Sequence, residues 1–340
     1  MKKTGLTLGK YAPLHKGHQY LIETAMSEVD EMYLLIYATD LLSVPLQIRA
    51  GWIRRLYPDV HVIECWNGPK GCGHDRAYQI QEENCIRSML EKNGAPRITH
   101  FFSSEFYGEH VSKSLGAIDR RVDEARITVP ISGCRIRENV FAGRQYIDDV
   151  VYPDLITKIV FMGSVSTGKS TLAEAMAKRW NTAFVSEYGR EYWEKHQVNR
   201  RIPLEAFDEI AIGHITLEDE AVQRANRYLF VDTNAISTYM FSLDYHGRAT
   251  EFLTRAALEN QTRYDLFFLC DDDIPYCDTW DRSGDVKRHV FQRQIIADLN
   301  ERKIPYITLK GSLEARMTQV DAIVARFNKF SNFYGNVLSG

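Results

Sequence analysis

Apolar residues along this chain gather in short runs, separated by longer stretches where they recur every three or four positions. Runs of strand length cover residues 4–8, 31–37, 60–65 and 98–102. Between them, residues 19–27, 47–57 and 77–93 carry helical spacing; Leu21, Ile22, Ala25 and Met26 form the stripe of the first. A further strand is expected over 126–129. Over residues 140–157, Gly143, Pro153 and mixed charges interrupt the pattern, and then it resumes. Strands are expected over 158–162, 182–186, 227–231, 264–270 and 305–309. Helices are expected over 171–180, 204–226, 290–303 and 313–330. Such alternation builds parallel sheets covered by helices. The expected fold is α/β in two domains, residues 1–153 and 154–340.

A length of 340 residues suffices for both. The net charge of −3 gives no electrostatic reason to expect nucleic acid as a partner. No apolar run reaches membrane-spanning length, and the lysines at positions 2 and 3 precede no signal-type apolar region. A cytoplasmic protein is expected, with its six cysteines as free thiols. Cys65, Cys72, His74 and Cys85 look like metal ligands at first sight, but their spacing matches no zinc pattern.

Two stretches carry chemistry. Gly163-Ser164-Val165-Ser166-Thr167-Gly168-Lys169-Ser170 reads G-x-x-x-x-G-K-[ST], between an expected strand and a helix opening at Thr171. That context makes it a P-loop. Gly163 and Gly168 let backbone N–H groups, those of Ser166 and Thr167 among them, turn toward phosphate oxygens, and the helix N-terminus adds partial positive charge. Lys169 is placed to meet the β- and γ-phosphates of ATP, and Ser170 to ligate Mg²⁺. Asp232 ends a later strand, where an acid serves the same metal ion. The second stretch is Gly9-Lys10-Tyr11-Ala12-Pro13-Leu14-His15-Lys16-Gly17-His18, which follows the first strand. It puts His15 and His18 where open α/β sheets bind ligands. Asp271-Asp-Asp273 invites a metal but reads better as a solvated strand-end turn.

The stretch 9–18 resembles the G-x-F-x-P-x-H-x-G-H signature of nucleotidylyltransferases, and Ile131-Ser132-Gly133-Cys134-Arg135-Ile136-Arg137 resembles their I-S-x-T-x-x-R signature. With the P-loop downstream, the chain resembles the bifunctional NMN adenylyltransferase and ribosylnicotinamide kinase family, the NadR type. Further agreement lies in Phe102-Ser-Ser-Glu105, in Val122-Asp123 with Arg126, and in Glu187-Tyr-Gly-Arg-Glu191. The resemblance implies a Rossmann-like nucleotidylyltransferase domain followed by a P-loop kinase domain. Each would use ATP and Mg²⁺, one making NAD from NMN and the other NMN from nicotinamide riboside. It implies that Gly9, Lys10, Gly17, Ser132 and Arg135 bind nucleotide while His15, His18 and Arg137 neutralise phosphate charge. Riboside phosphorylation also needs an acid at the riboside hydroxyls, for which Glu187 is the candidate and Asp232 the runner-up, and the stretch 277–288 resembles the family's polar lid, which places Arg282 to meet the γ-phosphate. Cys134 stands where the family has threonine, and Asn234 where it usually has an acid. Some members carry an N-terminal helix-turn-helix domain; none is expected before Thr4. Small molecules are the expected partners, with neither nucleic acid nor membrane, and a homo-oligomer is left open. Two other readings stay open: such an enzyme pair acting on a different phosphate ester, and a nucleotide sensor with little turnover.

Overall fold

The computed structural model describes residues 2–68, 75–105, 107–199, 201–276 and 285–330. The chain divides into two compact units, one running to Tyr152 and the other over Pro153–Lys329. The first alternates β1 (Thr4–Gly9), α1 (Lys16–Glu28), β2 (Glu31–Tyr37), α2 (Leu46–Leu56), β3 (Val60–Cys65), α3 (Arg76–Lys92), β4 (His100–Ser103), α4 (Gly108–Leu115) and β5 (Ile118–Arg121), then adds α5 (Gly133–Glu138); the short α6 (Tyr152–Leu155) straddles the boundary. Its sheet is wholly parallel, in the order β3-β2-β1-β4-β5. Leu6, Leu35, Ile63 and Phe101 fill the core. The order reverses between β1 and β4, and there the carboxyl ends of the strands open a crevice.

The second unit runs β6 (Thr157–Met162), α7 (Lys169–Trp180), β7 (Phe184–Val185), α8 (Tyr188–His196), α9 (Ala206–Arg224), β8 (Tyr228–Asp232), α10 (Ala235–His246), α11 (Glu251–Glu259), β9 (Leu266–Cys270), α12 (Asp285–Glu301), β10 (Ile307–Leu309) and α13 (Leu313–Val324). This sheet is also parallel, in the order β10-β9-β6-β8-β7. Phe161, Phe230 and Phe268 stack across the three central strands and bury the face under α7 and α13. The core strands read as continuous apolar runs because both faces are covered.

The expected strand over 126–129 is absent. Arg126 has φ +52°, and the carboxylate of Asp123 accepts the N–H groups of Ile127, Thr128 and Val129 at 2.8, 3.0 and 2.9 Å. A side chain that takes three successive amides leaves none for a ladder. The edge strand is β5, whose sequence Ile-Asp-Arg-Arg is too polar to announce itself. Residues 182–186 supply only the two-residue β7.

Those three hydrogen bonds hold the Asp123 carboxyl below its ordinary range. A lowered acid stabilises above its unfolded pKa, and that contribution is lost as pH falls through the folded value. Asp123→Ala should therefore speed amide exchange at Ile127, Thr128 and Val129, and so should acidification of the wild type, after correction for intrinsic rates. Unchanged exchange in the variant would detach the loop from Asp123.

Candidate functional sites

In the first unit the chain leaves β1 at Gly9, where a Cβ would stand 3.3 Å from the Tyr11 ring, and turns into α1 with His15 as N-cap. The His15 N–H donates to Nδ1 of His18 at 3.4 Å. The two imidazoles stack, with centroids 3.7 Å apart. A Cβ on Gly17 would lie 3.1 Å from the His15 ring, so the glycine between the histidines lets that ring lie against the helix. Accepting at Nδ1 leaves the His18 proton on Nε2, where it can be donated. Burial, and then His15 and Arg137, holds His18 well below its ordinary pKa. Burial, then Arg126 and Arg137, brings His15 down to about 4. Both rings are neutral at pH 7. His15 is buried with neither ring nitrogen hydrogen-bonded among the described residues, so its N–H is available to an anion.

Arg137, on α5, reaches the histidine loop, with Nη1 donating to the Ala12 carbonyl at 3.0 Å. Its Nη2 donates to the Cys134 sulfur at 3.2 Å. The thiol standing in for a threonine thus orients the guanidinium. Ser132 caps α5 by accepting the Arg135 N–H at 3.3 Å, and the Arg135 side chain donates to the Pro130 carbonyl at 3.2 Å. Lys10 is half-buried, and its charge stabilises the Glu82 carboxylate. The sequence reading missed Arg49. Fully buried on α2, it donates to the carbonyls of Val44 and Tyr37 at 3.0 and 3.1 Å and to that of Lys10. It ties the exits of β1 and β2 together. An arginine inside the apolar stripe of 47–57 was the available signal.

In the second unit Gly163 has φ +142°, and a Cβ there would lie 2.7 Å from the Cys270 carbonyl oxygen. Gly168 has φ +80° and Ser166 φ +57°. The loop is held from within by Thr167 Oγ1 donating to the Ser164 carbonyl at 2.8 Å, which also accepts from Lys169 Nζ at 2.8 Å. Gln292 of α12 accepts the Ser164 N–H at 2.8 Å and donates to the Cys270 carbonyl at 3.0 Å. Arg316, 2% exposed, donates to the Thr167 carbonyl at 2.6 Å and to that of Asp271 at 2.9 Å. Arg316 was not foreseen either. The turn 271–273 is not merely solvated: Asp273 binds Arg316 and the Gly311 N–H, Asp272 binds His289, and Asp271 pairs with Lys310. Each acid meets its own donor because α12, α13 and the exit of β10 converge there.

Pairing of β6 with β8 sets Asp232 opposite Phe161, two residues before the P-loop glycine. Asp232 is completely buried, and neither carboxylate oxygen has a hydrogen-bond partner among the described residues. Burial, then the charge of Glu187, pushes its carboxyl up to about 6 against the pull of Lys169. A buried acid without partners beside a P-loop serine fits a hard divalent cation. A cavity of about 240 Å³ is lined by residues 165–171, which include Ser170 and Thr171, and by Glu187 and Arg190. Trp193, Phe207, Phe241 and Tyr245 give it aromatic walls. Glu187 stands at the N-cap of α8 but makes no cap bond; it accepts from Arg190 at 3.4 Å. Asn234 instead caps α10, accepting the Ser237 N–H at 3.0 Å. Arg282 lies outside the described residues, as do Cys72, His74 and Cys277. Cys65 and Cys85 are free thiols with sulfurs 3.2 Å apart. Among the described residues no three His, Cys, Asp or Glu side chains gather as a metal site, and no helix is long and apolar enough to cross a membrane.

Two family models match: the citrate lyase ligase C-terminal domain over residues 8–70 and an AAA domain over residues 158–316. The trifunctional NAD biosynthesis/regulator protein NadR of Escherichia coli (strain K12) is 31% identical over 330 residues, which is 91% of this chain and 79% of that protein. Its namesake in Salmonella typhimurium (strain LT2) is 30% identical over 327 residues, with the same coverages. Among solved structures, a NadR protein in complex with NAD and AMP-PNP shares the fold at a TM-score of 0.56 and 23% identity, covering 96% of both chains. A NadR protein in complex with NR gives a TM-score of 0.58 at 22% identity, over 95% of this chain and 96% of that one.

Because the folded state of metal-free protein raises the pKa of Asp232, it binds that proton more tightly than the unfolded chain does. Stability from this group grows as pH falls through about 6, and above that the charge opposes folding. Without metal, Asp232→Asn should raise the melting temperature at pH 7.5, and the gain should shrink by pH 5. A variant that melts earlier at pH 7.5 would show that the carboxylate is compensated in the apo protein.

Proposed function

Because this chain belongs to the NadR family, we propose that its second unit phosphorylates nicotinamide riboside with ATP to give NMN. The first unit then joins NMN to the adenylyl group of a second ATP, giving NAD and pyrophosphate. The observation that carries this reading is that 31% identity to a NAD biosynthesis protein runs through 91% of the chain, both units included.

In the first unit the NMN phosphate oxygen forms a bond to the α-phosphorus of ATP while the bond to the β-phosphate oxygen breaks. Charge moves onto the departing pyrophosphate, and no side chain need act as nucleophile. Catalysis is positioning and neutralisation. Neutral His15 and His18 each offer one N–H, already desolvated and fixed by stacking, and such donors reorganise little during transfer. Arg137 supplies full charge, held by Ala12 and Cys134. Lys10 and the start of α5, with Ser132 and Arg135, flank the phosphate chain.

In the second unit the riboside 5′-hydroxyl oxygen bonds to the γ-phosphorus as the bridge to ADP breaks, and the hydroxyl proton goes to a carboxylate. Glu187 takes that role, being partly exposed in the cavity and free of a capping bond. The aromatic walls suit the flat, positively charged nicotinamide ring. Lys169 leaves the Ser164 carbonyl for the β- and γ-phosphates. Ser170 and Asp232 hold Mg²⁺, which when bound neutralises charge on the phosphates.

Lys169→Ala should abolish riboside phosphorylation and leave NMN adenylylation intact. His18→Ala should lower adenylylation about 100-fold, the scale of one preorganised donor, and leave the kinase intact. Chromatography of products from ATP, Mg²⁺ and either substrate checks both. A folded variant losing both activities, or a wild type converting neither substrate, would overturn the assignment.

A further inference from the structure

His214 belongs to no motif of the sequence, yet it lines the cavity of the second unit at 2% exposure. Its Nε2 stands 3.2 Å from the Thr233 carbonyl oxygen and 3.4 Å from Glu218 Oε1. A carbonyl oxygen only accepts, so Nε2 carries the proton. Glu218, 1% exposed, also accepts from Arg263 Nε at 2.7 Å and from the Tyr264 hydroxyl at 2.6 Å. The imidazole is therefore braced by a carboxylate that is itself fixed twice.

What this brace holds is unusual. Thr233 has φ +66°, a left-handed conformation that a β-branched residue adopts only when its surroundings impose it. Three contacts surround that turn: the Thr233 N–H donates to the Phe161 carbonyl at 3.1 Å, Asn234 caps α10, and His214 takes the Thr233 carbonyl. The residue just before the turn is Asp232, whose carboxylate lies beside the Ser170 hydroxyl but makes no well-formed hydrogen bond among the described residues. Apart from the neighbouring Ser170 hydroxyl, only its backbone fixes where that carboxylate points.

We propose that His214 is a positioning residue of the kinase site: by holding the Thr233 peptide in its left-handed turn, it aims the Asp232 carboxylate at the metal–nucleotide. This rests on the reading of the second unit as a P-loop kinase. It does not depend on which hydroxyl compound is phosphorylated. A histidine that merely fills the core would lower stability without touching metal affinity.

The test uses the full chain and Mn²⁺ as a paramagnetic probe, titrated in the presence of AMP-PNP. His214→Leu should weaken Mn²⁺ binding about tenfold, the upper scale of one buried hydrogen bond, with metal-free AMP-PNP binding unchanged. His214→Gln, which keeps an N–H donor, should recover most of the loss. In a Thr233→Gly background His214→Leu should cost less, because glycine holds positive φ unaided. If His214→Leu does not fold, His214→Asn, whose shorter amide falls short of the carbonyl, is read in its place. Wild-type Mn²⁺ affinity in a folded Leu or Asn variant, or a Gln variant as weak as Leu, would overturn the proposal. These measurements need no riboside, so a wrong substrate would leave them intact while abolishing turnover in the product assay.

Discussion

A carboxylate buried in protein with no hydrogen-bond partner is among the most expensive groups a fold can carry. Asp232 is such a group, and much of the second unit bears on it. It ends the strand beside β6, so sheet pairing fixes its height relative to the P-loop. The turn after it is left-handed and pinned by His214 and Asn234. Glu187 raises its proton affinity, and Lys169 opposes that. Stability is given up here, and the aromatic core of β6, β8 and β9 supplies the rigidity that keeps the group in place.

The first unit meets a related demand with different chemistry. It holds two imidazoles neutral by burying them beside each other and beside arginines. A neutral ring has one N–H fixed by its tautomer, and the His15 N–H to His18 Nδ1 contact sets that tautomer for His18. Positive charge enters through Arg137 instead, which the chain anchors on a carbonyl and a thiol. The division is physically sensible. Charged groups placed in a cleft attract phosphates at range, while short, oriented donors discriminate the transferring geometry.

Arginines also act as framework in both units. Arg49 gathers three carbonyls at the exits of β1 and β2, and Arg316 gathers carbonyls of the P-loop and of the turn after β9. Loops at the carboxyl ends of parallel strands expose carbonyl oxygens that no ladder satisfies. A planar guanidinium with five donors can serve several of them at once. Both loops are thus fastened by a buried arginine.

The sequence by itself determined the alternation of strands and helices, because buried parallel strands must be apolar throughout and covering helices must be striped. It also located the P-loop and the two histidines, since glycine spacing and residue type are local requirements of anion binding. It misread 126–129, where isolated aliphatic residues imitate a strand, because the deciding fact was the reach of the Asp123 side chain to three amides. It did not reveal the roles of Arg49, Arg316 or His214. Each lies in a helix, and its meaning comes from a partner 39, 149 or 19 residues away. Nor could composition tell that Asp232 lacks a partner while Asp271, Asp272 and Asp273 each have one. Acidity is a property of the residue, but satisfaction is a property of the neighbours, and only tertiary structure supplies those.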